Sequence, residues 1–316
     1  YNKNFILTAD IDLAGKTFAK GVIASDAIIM SGFQGTAFTG SFDGNGFRIT
    51  NLTINTNGSG NCYLGLFGCL GYEAIIKYLI IEQVSIIGGK YSKCLGGLCG
   101  ENLGAITNCF VTGTVSSGDS PSNLGIMCGY NAGVISGCHT AGTIVAGEWS
   151  YYLGGLCGGN SATIINCYSA GSIIGGQNCC NIGGLCGWNH EGLIQNCYTT
   201  ASILAGESLY SLSFGGLCGS NDNGVFIECN WNRETCGVLS SAGGWGLTDD
   251  QMKLESSYPG WNNGLWVIDE GVGYPHLVWE GKAGQIIDYE RTRTYSGNGV
   301  NIPFELNNPE DIVCLC

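Results

Sequence analysis

Short apolar stretches separated by glycine and asparagine recur along most of the chain. Three of them read Ala105-Ile-Thr-Asn-Cys-Phe-Val111, Thr163-Ile-Ile-Asn-Cys-Tyr-Ser169 and Leu193-Ile-Gln-Asn-Cys-Tyr-Thr199. Such runs are rich in β-branched residues and bounded by turn residues, which is typical of strands. Helix is disfavoured because the chain contains 54 glycines, each of which costs about 1 kcal/mol relative to alanine inside a helix. The pattern therefore predicts an all-β protein.

The phrase Leu-Gly-Gly-Leu-Cys-Gly, or a close variant of it, occurs five times. Its cysteines are 29, 29, 29 and 32 residues apart, at Cys99, Cys128, Cys157, Cys186 and Cys218. A fixed period of this kind is typical of stacked supersecondary units. Short strands that return at this period fit a solenoid in which each coil adds one rung of about 4.8 Å to parallel sheets. We predict a right-handed parallel β-helix of about six coils, the first of them an imperfect coil with Phe67 in place of the cysteine.

The same period predicts how the chain is organised. Residues 1–60 are expected to form a lead-in of capping strands, residues 61–239 the β-helix repeats, and residues 240–285 a closing segment. Residues 286–316 predict a turn, a strand and a short helix that Asn308 caps, with Pro309 at its first position.

Two further columns follow from the repeat. An asparagine stands two places after each phrase, which suits a ladder of stacked amides and turns with positive φ, at Asn102, Asn131, Asn160, Asn189 and Asn221. A second cysteine closes each coil, and the residue after it should point outward if the cysteine points inward. This predicts an exposed column suited to sugar stacking or fibre contacts, at Phe110, His139, Tyr168 and Tyr198. Ordinary stacking between aromatic rings of successive rungs is the alternative.

The chain contains 18 cysteines, and two interpretations fit them. The two cysteines of each coil could pair as disulfides in an oxidised, secreted protein, as Cys99 with Cys109, Cys128 with Cys138, Cys157 with Cys167, Cys186 with Cys197, and Cys218 with Cys229. Alternatively, they are buried small apolar residues stacked in two columns. Metal binding is disfavoured because the paired short spacing of zinc or iron–sulfur sites is missing.

The charge is strongly negative, with 12 Lys and Arg against 25 Asp and Glu. No Lys or Arg occurs from Cys94 through Asn232. Nucleic acid and anionic membrane are therefore disfavoured as partners, because both need clustered cations. No stretch is long and apolar enough to predict a membrane span, and no signal peptide is visible.

The Gly-Gly-Leu-x-Gly and Asn-Cys-Tyr phrases resemble the GLUG repeat of bacterial and archaeal secreted or surface proteins. The lead-in around Asp10, Asp12 and Asp43-Gly-Asn-Gly46, and the closing segment with Trp266 and His276, are similar to the flanks of such repeats. The resemblance implies an extracellular or cell-surface location and a spacer or adhesive role. This chain differs in placing cysteine where the family commonly has an aliphatic residue, which favours the disulfide interpretation.

The two ends of the chain are expected to belong together. In related proteins the turn, strand and helix of residues 286–316 resemble what precedes the lead-in. This order predicts that the segment completes the N-terminal cap of another copy, or of the next tandem unit, through Ile302, Phe304, Leu306 and Ile312 against Phe5 and Leu7. A head-to-tail contact of this kind does not close on itself and generates a fibre. Truncation of a larger monomer is the alternative.

Catalysis is disfavoured, because a glycosidase needs two carboxylates facing one cleft. The candidates by proximity, Asp10 with Asp12, Asp249 with Asp250, and Asp269 with Glu270, fit turn and cap roles better. No cofactor is predicted; Ca²⁺ could bind the acidic lead-in, but no spaced loop of ligands supports it. The sequence predicts a non-catalytic extracellular structural protein whose partners are other copies of itself. The alternatives are an adhesin module that binds extracellular glycans and, less favoured, a polysaccharide-active β-helix enzyme.

Overall fold

The structure of the chain is a computed structural model that describes residues 2–26, 32–206 and 213–287. Contacts divide it into two units, Tyr1–Thr248 and Asp249–Cys316, and each unit is described by itself. In the described ranges, helix is limited to three short 3₁₀ turns in the second unit, Gln251–Lys253, Glu255–Ser257 and Val278–Glu280.

The first unit is a parallel β-solenoid. Each coil places strands in four sheets, which we number 1 to 4 in the order in which the chain visits them, and sheets 1 and 2 are each 6-stranded. The named strands of this unit pair in parallel, so a residue lies one rung of about 4.8 Å from its equivalent in the next coil. The predicted all-β parallel solenoid of about six coils is confirmed.

The strands of the coils have the following bounds. Sheet 1 contains Cys62–Leu64, Lys93–Leu95, Ser122–Gly125, Tyr151–Gly154, Cys180–Gly183 and Phe214–Gly215. Sheet 2 contains Phe67–Leu70, Cys99–Asn102, Cys128–Asn131, Cys157–Asn160, Cys186–His190 and Cys218–Asp222. The coil strands of sheet 3 are Ile75–Lys77, Ala105–Thr107, Val134–Ser136, Thr163–Ile165, Leu193–Gln195 and Val225–Ile227. Those of sheet 4 are Ile80–Gly88, Phe110–Ser117, His139–Ala146, Tyr168–Gly175, Tyr198–Thr199, Ser202–Ala205 and Asn230–Asn232.

Strands outside the coils extend sheets 3 and 4. The lead-in adds Ser41–Asp43 and Phe5–Ile6 to sheet 3, and it adds Arg48–Thr50, Thr53–Asn55, Ile11–Asp12 and Thr17–Phe18 to sheet 4. At the other end, Trp245–Leu247 pairs in parallel with Asn230–Asn232. This strand belongs to the predicted closing segment by sequence, and the structure makes it the last rung of sheet 4.

The interior consists of columns in which one kind of side chain repeats from coil to coil. Fully buried aliphatic residues form one column behind sheet 1 and another behind sheet 3, at Leu64, Leu95, Leu124, Leu153 and Ile182, and at Ile76, Ile106, Ile135, Ile164 and Ile194. Burying each such side chain contributes about 1.5–3 kcal/mol. Because each coil buries its apolar residues against its neighbours, the columns hold the stack together.

The last glycine of the repeated phrase is required by a close approach of two backbone segments. A Cβ atom added to Gly158 would lie 2.5 Å from the carbonyl carbon of Asn123 and 2.5 Å from the amide nitrogen of Leu124. A Cβ atom on the equivalent Gly187 would lie 2.5 Å from the carbonyl carbon of Tyr152. Only glycine lets sheet 1 of one coil pass this close to sheet 2 of the next, and this explains why the glycine recurs.

The turn between sheets 3 and 4 requires a left-handed backbone. Asn108, Asn166 and Asn196, which precede the second cysteine of their coils, have φ angles of 51°, 52° and 50°. Asparagine tolerates this conformation better than most residues with a side chain. The expectation that Asn102 and its equivalents adopt such turns is wrong, because Asn102 ends a strand of sheet 2.

The second unit contains a small antiparallel sheet. Trp266–Ile268 pairs with His276–Leu277 on one side and with Gln285–Ile286 on the other. The ring of Trp261 packs against the rings of Tyr258 and Trp266, with centroid distances of 4.7 and 4.5 Å. All three rings are fully buried, so this unit has an aromatic core of its own.

Candidate functional site

Asparagine side chains form a ladder of hydrogen bonds at the end of sheet 2. From Asn102 onward, each Nδ2 donates to Oδ1 of the next asparagine, at 2.7, 2.7, 2.8 and 3.2 Å, through Asn131, Asn160, Asn189 and Asn221. The first four are fully buried, and Asn221 is exposed. Asn160 Nδ2 also donates to the carbonyl oxygen of Ala162 at 3.1 Å in its own coil. The ladder thus satisfies buried polar groups and links successive coils in register.

The repeat cysteines lie in two buried columns. The first column occupies sheet 2, in which Cys99, Cys128, Cys157, Cys186 and Cys218 pair in register. The second column follows sheet 3 and consists of Cys109, Cys138, Cys167, Cys197 and Cys229. None of these ten column cysteines forms a disulfide.

The predicted disulfides within each coil are therefore wrong for this part of the chain. The Sγ atom of Cys138 accepts from the backbone N–H of Cys109 at 3.4 Å, and Sγ of Cys167 accepts likewise from Cys138. These sulfurs thus contact the neighbouring coil along their own column. The interpretation that fits is the other one, in which cysteine serves as a small buried apolar residue.

Burial also sets the chemistry of these thiols. It raises the pKa of Cys109, Cys128 and Cys157 well above the ordinary value of a thiol, because a buried thiolate loses its hydration. The thiolate is the reactive form. Cys109, Cys128 and Cys157 are consequently poor nucleophiles in the folded chain.

Alkylation of the native protein is expected to leave the two columns unmodified. Cys62 and Cys180, which are partly exposed, should react with iodoacetamide first, and Cys128 and Cys157 only after unfolding in guanidinium chloride. Peptide mapping by mass spectrometry after labelling in native and denaturing buffer measures this at each position. A disulfide-linked peptide containing Cys99 and Cys109, or fast labelling of Cys157 in native buffer, would contradict the structure.

The aromatic column is stacked as expected, but it is not exposed. Ring centroids are separated by 4.3 Å between Phe110 and His139, by 4.7 Å between His139 and Tyr168, and by 4.9 Å between Tyr168 and Tyr198. His139, Tyr168 and Tyr198 are buried, Tyr198 with only 2% of its surface accessible. Each ring covers the face of its neighbour, so the column offers no free ring face to a sugar. The prediction of an exposed column is wrong.

The predicted inter-unit residues differ in their surroundings. Leu7 is buried, whereas Phe5 is 51% exposed on the outermost strand of sheet 3. Ile6 and Ile11, on the outermost strands of sheets 3 and 4, are also exposed, and neither is among the predicted contact residues. The alternation along the strand predicts that Phe5 and Leu7 share one face and that Ile6 lies on the other, so Ile6 is not expected to join them in a contact. The proposed partners Ile302, Phe304, Leu306 and Ile312 lie outside the described residues.

The acidic candidates of the lead-in hold the backbone of neighbouring strands. Asp10 Oδ1 accepts from the backbone N–H of Arg48 at 2.9 Å. Asp12 Oδ1 accepts from the backbone N–H of Ala14 at 2.9 Å and from Asn51 Nδ2 at 2.8 Å. The hydrogen bond from Asn51 lowers the pKa of the Asp12 carboxyl. These are structural contacts within the lead-in.

The acidic candidates of the second unit are likewise engaged locally. Asp249 pairs with Lys253 at 2.6 Å and accepts from the Tyr274 hydroxyl. Glu270 accepts from the backbone N–H of Glu255 at 2.7 Å. Within residues 2–26, 32–206 and 213–287, no group of three His, Cys, Asp or Glu is arranged to hold a metal ion. Over the same ranges, no helix has the length and apolar character needed to cross a bilayer.

Comparison with known proteins identifies the repeat. The family model described as the GLUG motif matches residues 91–116 and 150–174. Halomucin from Haloquadratum walsbyi is 36% identical over 123 residues, which cover 36% of this chain and 1% of halomucin. A putative Gly-rich membrane protein from Evansella cellulosilytica is 36% identical over 80 residues, which cover 25% of this chain and 9% of that protein. The predicted presence of GLUG repeats is confirmed.

The matches cover only a small part of both relatives, so what those whole proteins do does not transfer to this chain directly. No solved structure matches the chain.

Proposed function

We propose that this GLUG-repeat chain is a non-catalytic structural segment of an extracellular surface protein, and that its units stack head to tail. A solenoid with a repeating interior and local roles for its candidate carboxylates fits a spacer better than an enzyme. One of the two relatives is by name a membrane protein, and the repeats resemble those of secreted and surface proteins.

The observation that carries the stacking proposal is the N-terminal end of sheets 3 and 4. Their outermost strands, Phe5–Ile6 and Ile11–Asp12, pair on one side only among the described residues. Phe5 is 51% and Ile6 58% exposed. An open edge of parallel strands is a template for another strand, and exposed apolar side chains favour covering it.

The proposed partner of this edge is another unit of the same kind. A second copy, or the next unit of a tandem chain, would add the predicted strand at residues 302–306 to this edge. Such a contact is heterologous and propagates along the solenoid axis into a fibre. The rival adhesin function has less support, because the aromatic column that would bind sugar is buried.

Electron microscopy of the purified chain tests this proposal. The unaltered chain is expected to form filaments, and the substitution Ile6→Lys is expected to abolish them, because a lysine at the edge repels apolar partners and carries a strongly hydrated charge. Since Ile6 is largely exposed, thermal stability should change little.

The matched control is Tyr72→Lys, which places the same charge at another largely exposed position and should leave filaments intact. Dispersed rods for the unaltered chain, or filaments that persist in the Ile6→Lys variant, would refute head-to-tail stacking through this edge.

A further inference from the structure

The outward residues of sheet 4 carry no charge in the second to fifth coils. Inward residues alternate with outward ones along each strand, as Val111 and Val115 are buried on either side of Thr112 and Thr114. The outward residues form three rows across four coils. Row A is Thr112, Ala141, Ala170 and Thr200, row B is Thr114, Thr143, Ser172 and Ser202, and row C is Ser116, Val145, Ile174 and Leu204. None of the twelve carries a charge.

The chain as a whole has a formal net charge of −13. In the first coil, Glu82 occupies the position equivalent to row A. Asp119 and Glu148 lie in the turns that follow row C. Within row C, Val145 and Ile174 are each 39% exposed and Leu204 is 61% exposed. These three side chains are adjacent on successive rungs, and a contiguous exposed apolar patch can mark an interaction site.

We propose that this face is a lateral interface between two copies of the chain, lying side by side with their solenoid axes parallel. Two copies that each carry an excess of carboxylates repel one another, and the repulsion is least where neither surface has a charge. A neutral face on an acidic body therefore fits a second copy better than a cationic partner, which would be drawn to the carboxylates elsewhere. Sheets that pack face to face in this way lie roughly 10 Å apart.

The side-chain sizes in the three rows favour one relative orientation of the two copies. A two-fold axis parallel to the solenoid axis places row C of one copy against row A of the other, and row B against row B. The large Val145 and Ile174 then face the small Ala141 and Ala170 of the partner copy, while hydroxyl groups face hydroxyl groups. The antiparallel arrangement would place row C against row C and leave a gap between the two A rows, so it packs less well.

The size of the face predicts a weak contact for a single pair. Four rungs and three rows span roughly 350 Å² on each copy, which is below the area of a stable interface of about 800 Å² per partner. Units joined along an axis would present several such faces at once and bind through multivalency. The lateral contact goes beyond the proposed stacking and does not depend on it.

Two complementary charges on one strand test the proposal. In the parallel arrangement, position 141 of one copy faces position 145 of the other. Ala141→Asp and Val145→Lys should each weaken self-association at least tenfold, because each buries an unpaired charge. An equimolar mixture of the two variants should restore association, since the carboxylate introduced at position 141 of one chain then meets the ammonium group introduced at position 145 of the other. Sedimentation velocity over a concentration series measures this.

The experiment is done in the Ile6→Lys background, so that end-to-end filaments do not form and the two contacts are tested separately. The control Leu239→Asp adds a charge at a fully exposed leucine of the same unit and should associate as the background chain does. Circular dichroism checks that each variant keeps its β structure. A mixture no more associated than its components, or a background chain that stays monomeric at high concentration, would overturn the proposal.

Discussion

Replacing Gly158 with alanine is expected to lower the free energy of unfolding of the solenoid by about 3 kcal/mol or more. The added methyl group would lie 2.5 Å from backbone atoms of Asn123 and Leu124 and 2.6 Å from the Cα atom of Asn123. Backbone atoms held in two sheets cannot move aside as a flexible side chain can. The strand of sheet 1 that contains Asn123 and the strand of sheet 2 that contains Gly158 must therefore move apart. This movement strains the hydrogen bonds that each strand makes within its own sheet. Guanidinium chloride denaturation followed by circular dichroism measures the loss.

The control lies in the same coil. A Cβ atom on Gly175 would meet only side-chain atoms, 3.1 Å from Cδ1 of Ile182 and 3.2 Å from Sγ of Cys179. These atoms can shift by a few tenths of an ångström, so Gly175→Ala should change stability by less than about 1 kcal/mol. Equal losses for the two variants would show that glycine is needed for its general flexibility, and would refute the close approach as the cause.

The period of the sequence was sufficient to predict the solenoid, because equivalent positions of a parallel stack repeat in chemistry as well as in spacing. Cys128 and Cys157, or Ile135 and Ile164, occupy the same place in successive coils, and the number of coils follows from counting them. The period does not give the distance between two residues on different sheets of the same coil. Cys99 and Cys109 are close in sequence, but one lies on sheet 2 and the other beyond sheet 3, so spacing alone predicted a bond that the fold does not make.

Exposure of the aromatic column could not be predicted for a related reason. The alternation of strand residues gives the direction in which Tyr168 points, and that direction is outward. It does not say what lies above and below the ring. At a rung spacing of about 4.8 Å, flat rings fill the gap between coils, and His139 and Tyr198 cover both faces of Tyr168.

The two kinds of asparagine show the same limit. Asn160 and Asn166 each have equivalents in other coils, and both lie near glycines and other turn residues. The residue type alone does not show whether an asparagine has a buried side chain or a left-handed backbone. The distinction depends on the position in the coil, since Asn160 ends a strand of sheet 2 and Asn166 reverses the chain between sheets 3 and 4. The ladder itself could be inferred, because identical amides stacked in register tend to bond along the stack.

Replacing Asn160 with alanine is expected to destabilise the solenoid by about 3 to 4 kcal/mol. Asn160 accepts from Asn131 at 2.7 Å and donates to Asn189 at 2.8 Å, and it is fully buried. Its loss leaves the Oδ1 atom of Asn189 without its ladder partner in a place that water does not reach. Nδ2 of Asn131 keeps the carbonyl oxygens of Gly133 and Thr163 at 3.1 and 3.2 Å. Because an unsatisfied buried polar group costs about 1–3 kcal/mol, the unpaired Oδ1 atom adds to the cost of the cavity that the missing side chain creates.

Asn221→Ala is the matched control, since Asn221 ends the ladder at an exposed position. It removes one hydrogen bond of 3.2 Å from Asn189, whose Nδ2 keeps the carbonyl oxygen of Gly192 at 3.0 Å. Because Asn189 keeps that bond and the Asn221 side chain lies at an exposed position, the loss should stay below about 1 kcal/mol. Denaturation midpoints of the two variants, measured side by side, separate the explanations. If the two midpoints fall equally, the ladder stabilises the solenoid through the number of its hydrogen bonds, and burial is not the cause. A large loss for Asn160→Ala alone shows that the buried amides are the ones that matter, as expected if they fix the register of the inner coils.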